Sequence, residues 1–282
     1  MSQLCVESVT KAYANNNKER HVVLRDLSFG VRTGEFVSLL GPSGCGKTTI
    51  LRIIAGFLKP TSGRIMIGDD EVTQPGPDRA FVFQSYGLFP WMTIKANILY
   101  PMQQQKMPQP EQEQQLNMLL ALAKLEGKEK LYPHQLSGGM QQRTAVIRAL
   151  ACHPKVLLMD EPLGAVDMQM RHKLQEDMER IFIDSPATVV MVTHDVDEAV
   201  FMSNRILVMS DCEGKLAGDL SIPLPHPRNR HSLEYQQLVS KLGDLLQNMH
   251  HEKEISDWNN IKNIMEEIPI ESKAADCCCN AT

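Results

Sequence analysis

The apolar residues of this chain follow two alternating rhythms. Five short runs are almost continuously apolar: EFVSLL (35–40), RAFVFQ (79–84), KVLLMD (155–160), ATVVMVTH (187–194) and RILVMS (205–210). Such runs suit strands buried on both faces, as in a parallel sheet covered by helices. Between them, GKTTILRIIAGFL (46–58), GMQQRTAVIRALACH (139–153) and MRHKLQEDMERIFID (170–184) carry helical patterns. Strands and helices in alternation predict an α/β domain.

Two regions break the rhythm. The stretch 97–135 surrounds its prolines with glutamines before the apolar helix LNMLLALAKL (116–125), and it reads as a mostly helical insertion with a solvated surface. After residue 220 the strand signals stop. PLPHPRNR (223–230) reads as a rigid connector, because proline excludes regular structure. SLEYQQLVSKLGDLLQNM follows as an amphipathic helix with Leu233, Leu238, Leu242, Leu245 and Met249 near one face. A shorter amphipathic stretch around Trp258, Ile261, Met265 and Ile268 precedes a polar tail.

Composition narrows the classes. A formal charge of −5 over 282 residues leaves no footprint of a dedicated nucleic-acid binder. No apolar run approaches the roughly 18 residues that a membrane span needs, and MSQLCVESVTKAY lacks the pattern of a secretory signal. The seven cysteines are odd in number and irregularly spaced, which favours a reduced chain over a disulfide framework. Any membrane connection is therefore expected to run through a partner.

The sharpest chemical signal is GPSGCGKT (41–48), which fits G-x-x-x-x-G-K-[ST] between a predicted strand and a predicted helix. Gly41, Gly44 and Gly46 allow the backbone to wrap amide N–H groups around phosphate oxygens. The helix that follows adds about half a positive charge at its N-terminus. Lys47 can reach β- and γ-phosphates, and the Thr48 hydroxyl can ligate Mg²⁺. Nucleotide binding follows.

Three further strand ends converge on that chemistry. Asp160 closes KVLLMD at the sheet edge where open α/β sheets bind ligands, and it suits a direct or indirect Mg²⁺ role. Glu161 comes next and points elsewhere, as a base polarising the attacking water would. His194 closes TVVMVTH at the same edge, within reach of a γ-phosphate. Gln84 closes RAFVFQ, where an uncharged amide can touch Mg²⁺ or water. LSGGMQQR (136–143) has no acid, base or thiol; its glycines open a helix whose N–H groups and dipole can face a phosphate.

Taken in order, Lys47, Gln84, LSGGMQQR, VLLMDEP, GAVD (164–167) and THD (193–195) closely resemble the ATP-binding subunit of ABC transporters over roughly residues 4–230. The resemblance implies a P-loop NTPase of ABC type: a mainly parallel sheet core, an N-terminal antiparallel β portion and a helical subdomain insertion at about 88–153. It implies a cassette over 1–230, and 231–282 then form a C-terminal helical extension with a disordered tail. It makes Tyr13 the aromatic that stacks on adenine. Walker A becomes Gly41, Pro42, Ser43, Gly44, Cys45, Gly46, Lys47, Thr48 and Thr49. Ser137, Gly138, Gly139 and Gln141 belong to the signature, Asp160 to Walker B, Asp167 to the D-loop and His194 to the switch. Glu161, His194 and Gln84 carry catalysis, with Thr48, Gln84 and Asp160 holding Mg²⁺. One departure is the D-loop, GAVD where S-A-L-D is common; the loop after Tyr13 is also longer and more polar than usual.

GPDRAFVFQ, LFPWMTIKANI and the PLPHPRNR connector resemble the nitrate, sulfonate, taurine and bicarbonate importer group. The implied partners are a second ATPase subunit, transmembrane permease subunits and, indirectly, a solute-binding protein, at the cytoplasmic face of the membrane. Phe89, Pro90 and Trp91 read either as a permease contact face or as core of the helical insertion. A soluble ABC ATPase would carry two cassettes, or a long insertion in place of the about 88 residues between Lys47 and Gln135. A small-molecule kinase has no use for LSGGMQQR, and an exporter subunit stays open. Cys277, Cys278 and Cys279 near the end of the chain are expected in a disordered tail.

Overall fold

The computed structural model describes residues 2–14, 20–163, 168–183, 185–210 and 213–251. In chain order the elements are β1 (Ser2–Ala14), β2 (Arg20–Arg32), β3 (Phe36–Leu40), α1 (Lys47–Ile54), β4 (Ser62–Ile67), β5 (Asp70–Glu71) and β6 (Arg79–Val82). Then come α2 (Ile94–Gln104), α3 (Gln109–Leu122), a 3₁₀ turn at Pro133–Gln135, α4 (Gly138–Leu150), β7 (Val156–Asp160) and α5 (Met168–Ile183). The chain continues through β8 (Thr188–Thr193), α6 (Val196–Met202), β9 (Arg205–Met209), β10 (Leu216–Ser221) and α7 (Leu233–His251).

The five apolar runs all become strands of one sheet, ordered β10-β9-β3-β8-β7-β6. Pairing is parallel throughout, except that β10 runs antiparallel to β9 at the edge. A second, antiparallel sheet, β2-β1-β4-β5, comes from the N-terminal quarter. Strand side chains alternate between faces, and that period divides the core. Val37, Leu39, Leu158, Val190 and Leu207 pack with α1 and the antiparallel sheet. Their neighbours Phe36, Leu40, Leu157, Val189 and Ile206 pack with α2 to α7. A near-continuous apolar run is what a strand covered on both faces requires.

Two predicted boundaries and one predicted helix face shift. The first helix stops at Ile54 rather than Leu58, because Gly56 takes φ 80° and Phe57 N–H turns back to the Arg52 carbonyl at 2.9 Å. A side chain at Gly56 would put its Cβ 2.4 Å from the Gln74 carbonyl carbon, so the turn also fits the close approach of residues 74–75. The strand predicted over 79–84 ends at Val82, leaving Phe83 and Gln84 in the turn beyond it. In α7, Leu238 and Leu242 are buried as expected, but Leu233 is 66% exposed and Tyr235 is buried in its place. The Leu245 and Met249 side chains, and everything after residue 251, lie outside the described residues. Among the described residues, no helix is long and apolar enough to cross a membrane.

Candidate functional site

The order β3-β8-β7-β6 brings four carboxyl ends side by side. Leu40 pairs with Thr193, Asp160 with Val192 and Val82 with Met159, so the strands end nearly level. The loop 41–46, His194, Asp160 with Glu161, and Gln84 therefore leave adjacent strands along one edge. These are the sequence-predicted residues that the fold collects.

The loop is shaped by glycines that accept no side chain. Gly46 precedes α1 at φ 99°, and a Cβ there would lie 2.7 Å from Leu24 Cδ2. At Gly41 a Cβ would meet the Met209 carbonyl at 2.6 Å. The first amides of α1 lie outside the helix ladder, as at any helix start, and no side chain caps them. Lys47 is buried and donates to the carbonyls of Gly41 and Pro42, each at 2.7 Å, with Cys45 Sγ at 3.8 Å. The ammonium is thus held over the loop by the loop itself. Burial pushes the Cys45 thiol up against the opposing pull of Lys47, which keeps it protonated.

Thr48 Oγ1 donates to Asp160 Oδ1 at 2.8 Å, joining the start of α1 to the end of β7. Burial raises the Asp160 carboxyl and Glu161 adds to the effect, while the Thr48 bond, Arg52 and Lys47 oppose it. A hydroxyl and a part-buried carboxylate at hydrogen-bond distance form the hard oxygen pair that suits Mg²⁺, and a divalent cation would offset that burial. Glu161 sits at φ 44°, a left-handed conformation that costs a side-chain-bearing residue about 1–2 kcal/mol. Its N–H is tied to the Val192 carbonyl at 3.0 Å, and the turn ends the strand alternation. Its carboxylate then meets His194, with Nδ1 to Oε1 at 3.3 Å.

A closed set of hydrogen bonds fixes the backbone on both sides of His194. Asp195 N–H donates to Thr193 Oγ1 at 3.0 Å, and the Thr193 hydroxyl bonds Glu198 Oε2. Glu198 N–H donates to Asp195 Oδ1 at 3.2 Å, capping α6, and Arg171 of α5 pairs with Asp195 Oδ2 at 2.9 Å. Sequence reasoning missed Arg171 and Glu198; the second of two acids in the first turn of a helix reads as solvated, yet Glu198 is buried.

Burial pushes the Glu198 carboxyl up to about 8, against the Thr193 bond, which favours the charged form. The folded chain therefore keeps a proton that the unfolded chain releases near 4.5, and stability falls as pH rises from about 4.5 to about 8. Glu198→Gln, neutral at every pH, is expected to match the wild type near pH 5 and to melt a few °C higher above pH 8. Thermal melts of the two proteins across that range check this, and parallel curves would contradict it.

The signature segment lies on other ground. Ser137 Oγ accepts Met140 N–H at 3.4 Å and caps α4, with Gly138 and Gly139 as the first helical residues. Gln141 Nε2 donates to the Pro133 and Leu136 carbonyls at 3.0 and 3.3 Å, so it braces the turn before the helix. Leu136 and Leu174, beside Gly139, belong to the core on one face of the large sheet, whereas Cys45 and α1 belong to the core on the other. Among the described residues, no hydrogen bond or ion pair joins 137–143 to 41–49.

Tyr13 lies on β1 opposite His21, 44% exposed, with the Lys11 ammonium 5.1 Å from its ring centre. Gln84 is exposed in its turn. Asp167, with all of GAVD, falls outside the described residues, as do Cys277, Cys278 and Cys279. Trp91 is 71% exposed, which removes the core reading of this residue. Its loop is held firmly: buried Asn97 bonds both the N–H and the carbonyl of Phe89 and the carbonyls of Met92 and Thr93.

The sequence profile of the family described as "ABC transporter" matches residues 24–164. The chain is 45% identical over 213 residues to a nitrate import ATP-binding protein of Synechocystis, covering 74% of this chain and 80% of that one. It is 40% identical over 220 residues to an aliphatic sulfonates import ATP-binding protein of Bacillus cereus, covering 78% of this chain and 86% of that one. Its fold is similar to an ATP-binding cassette solved as a dimer in a post-hydrolysis state with ADP and Pi. There the TM-score is 0.66 at 32% identity, over 78% of this chain and 98% of that one. Loop, strand-end acids and relatives agree: the chain belongs to the ATP-binding, ATP-hydrolysing proteins of the ABC transporter family.

Proposed function

We propose that this chain drives an importer of a small anionic solute of the nitrate, sulfonate, taurine or bicarbonate kind, working as one of two paired ATPase subunits at the cytoplasmic face of a membrane. The observation that carries the pairing is internal. The P-loop and the signature helix belong to cores on opposite faces of one sheet, with no hydrogen bond or ion pair between them among the described residues. A phosphate held by the first meets the second only if the second comes from another copy. The relative solved with ADP and Pi is itself dimeric, which supports this reading.

In this account the loop amides and Lys47 bind the phosphates, and Tyr13 stacks on the adenine. Thr48 and Asp160 would hold Mg²⁺, with Gln84 at its edge; bound there, the cation supplies charge neutralisation on the phosphates. Glu161 accepts a proton from the attacking water, and His194 steers Glu161 while contacting the γ-phosphate. Ser137 and the first turn of α4 in the second copy close the site, and Asp167 lies between the copies.

The partner surface follows Gln84. Phe57 and Phe83 are half-exposed and stacked 6.2 Å apart, and Gly87 lies under the Phe83 ring. Phe89 and Trp91 form a second pair at 5.6 Å, backed by Arg148 over Phe89. Exposed aromatics on a braced loop suit an apolar segment of a permease subunit. Purification of the tagged chain from native membranes should recover a polytopic permease, with a solute-binding protein joining on crosslinking. Trp91→Asp should release both while ATP binding persists. Ribosomes or DNA in place of the permease would overturn the reading. Growth of a deletion strain on nitrate, taurine and alkanesulfonates as sole sources identifies the solute.

A further inference from the structure

The connector 223–230 does more than end the cassette. Arg230 leaves it with its guanidinium flat on the buried Phe201 ring of α6, 3.4 Å from the ring centre. Nε faces Asp197 Oδ2 at 3.4 Å, in the first turn of α6. Nη2 donates to Gln175 Oε1 and Nη1 lies 3.9 Å from Glu176 Oε1, both on α5. Gln175 is fully buried, and its Nε2 has no partner among the described residues, so Arg230 satisfies the one amide atom of Gln175 that is bonded. Tyr235 of α7 completes the contact, its hydroxyl donating to Asp197 Oδ1 at 2.6 Å. One planar cation thus ties α5 to α6 through a carboxylate, an amide and a ring, a geometry that lysine cannot copy.

What α5 and α6 carry gives this tie its meaning. Asp197 stands three residues after His194, inside the capped turn that holds His194 against Glu161. The helix α5 supplies Arg171 to the same cap. Rotation of α6 on α5 would carry His194 away from Glu161, and an error near 1 Å at a reacting group can cost about 100-fold in rate.

We propose that Arg230 is a positioning residue for ATP hydrolysis, locking the helix that begins beside His194 onto α5. The inference depends on the reading of Glu161 and His194 as the hydrolytic pair.

The test compares purified full-length wild type, Arg230→Met, Arg230→Lys, Asp197→Asn and His194→Ala. Each is assayed for hydrolysis across ATP concentrations, for affinity toward a fluorescent ATP analogue, and for amide hydrogen exchange. Arg230→Met is expected to lower kcat by about tenfold or more, with KM and nucleotide affinity within about twofold and faster exchange confined to α5 and α6. Asp197→Asn, which keeps the side-chain shape if Arg230→Met folds poorly, should give the same split at smaller size. Arg230→Lys should recover part of kcat. Wild-type kcat in both Arg230→Met and Asp197→Asn, with His194→Ala inactive, would overturn the clamp alone. Equal losses of kcat and affinity would also overturn it, as a purely structural role. Wild-type hydrolysis by His194→Ala would remove the site reading and the clamp with it.

Discussion

Glu161→Gln is expected to slow ATP hydrolysis by about 10²–10⁴-fold, the usual contribution of a positioned general base, while nucleotide affinity stays within about twofold. The substitution keeps size, shape and the left-handed backbone at φ 44°. An amide can still meet His194 across the 3.3 Å gap, so the pair geometry survives. Only proton acceptance is lost. The groups proposed to hold nucleotide, Lys47 over its loop and Thr48 bonded to Asp160, are untouched. Single-turnover phosphate release alongside equilibrium nucleotide binding separates the two effects, and hydrolysis at the wild-type rate would remove Glu161 from its role.

Gly139→Asp should leave ATP binding intact, abolish ATP-driven pairing and lower hydrolysis by about 10²–10³-fold, the scale of losing a preorganised donor to a developing charge. The fold tolerates the change at its first atom. A Cβ at Gly139 would meet Leu174 Cδ1 at 3.7 Å, an ordinary contact. Gly139 is buried, so the added carboxylate both enters the contact with Leu174 and stands at the helix end proposed to face a phosphate. Ser137→Arg should act similarly from the capping position, with a further loss of about 1 kcal/mol from the removed cap. Nucleotide titration and size analysis with ATP check both, and hydrolysis persisting in either variant would defeat the shared-site account.

The parts of the site that were legible in the sequence are those whose chemistry is local. GPSGCGKT announces its turn, its amides and its lysine within eight residues, and Asp160 and His194 each close an apolar run. Adjacency of those runs is not local: the sheet sets the first run beside the fourth and fifth and leaves the second at its edge. What stayed hidden depends on pairs far apart in the chain. Arg230 meets Asp197 and Gln175 across 33 and 55 residues, and no periodicity relates them. Glu198 leaves no signal, because the Thr193 hydroxyl that donates to it sits in a strand pattern that reads only as apolar. The left-handed turn at Glu161 leaves no mark either, since glycine would normally signal it. The periodicity of α7 points to its leucines, although Tyr235 with its bond to Asp197 is the residue that docks the helix start. Exposure of Trp91 was undecidable from composition, because the fourfold bracing of its loop by Asn97 is a tertiary fact.

The central claim is that one ATP is held between two copies of this chain, the P-loop of one against the α4 N-terminus of the other. Sedimentation velocity of the Glu161→Gln protein with and without ATP tests it most directly. The account predicts a monomer without nucleotide, a dimer holding two ATP when nucleotide is present, and a monomer again when Gly139→Asp is added. A Glu161→Gln protein that binds ATP one to one and stays monomeric would contradict it.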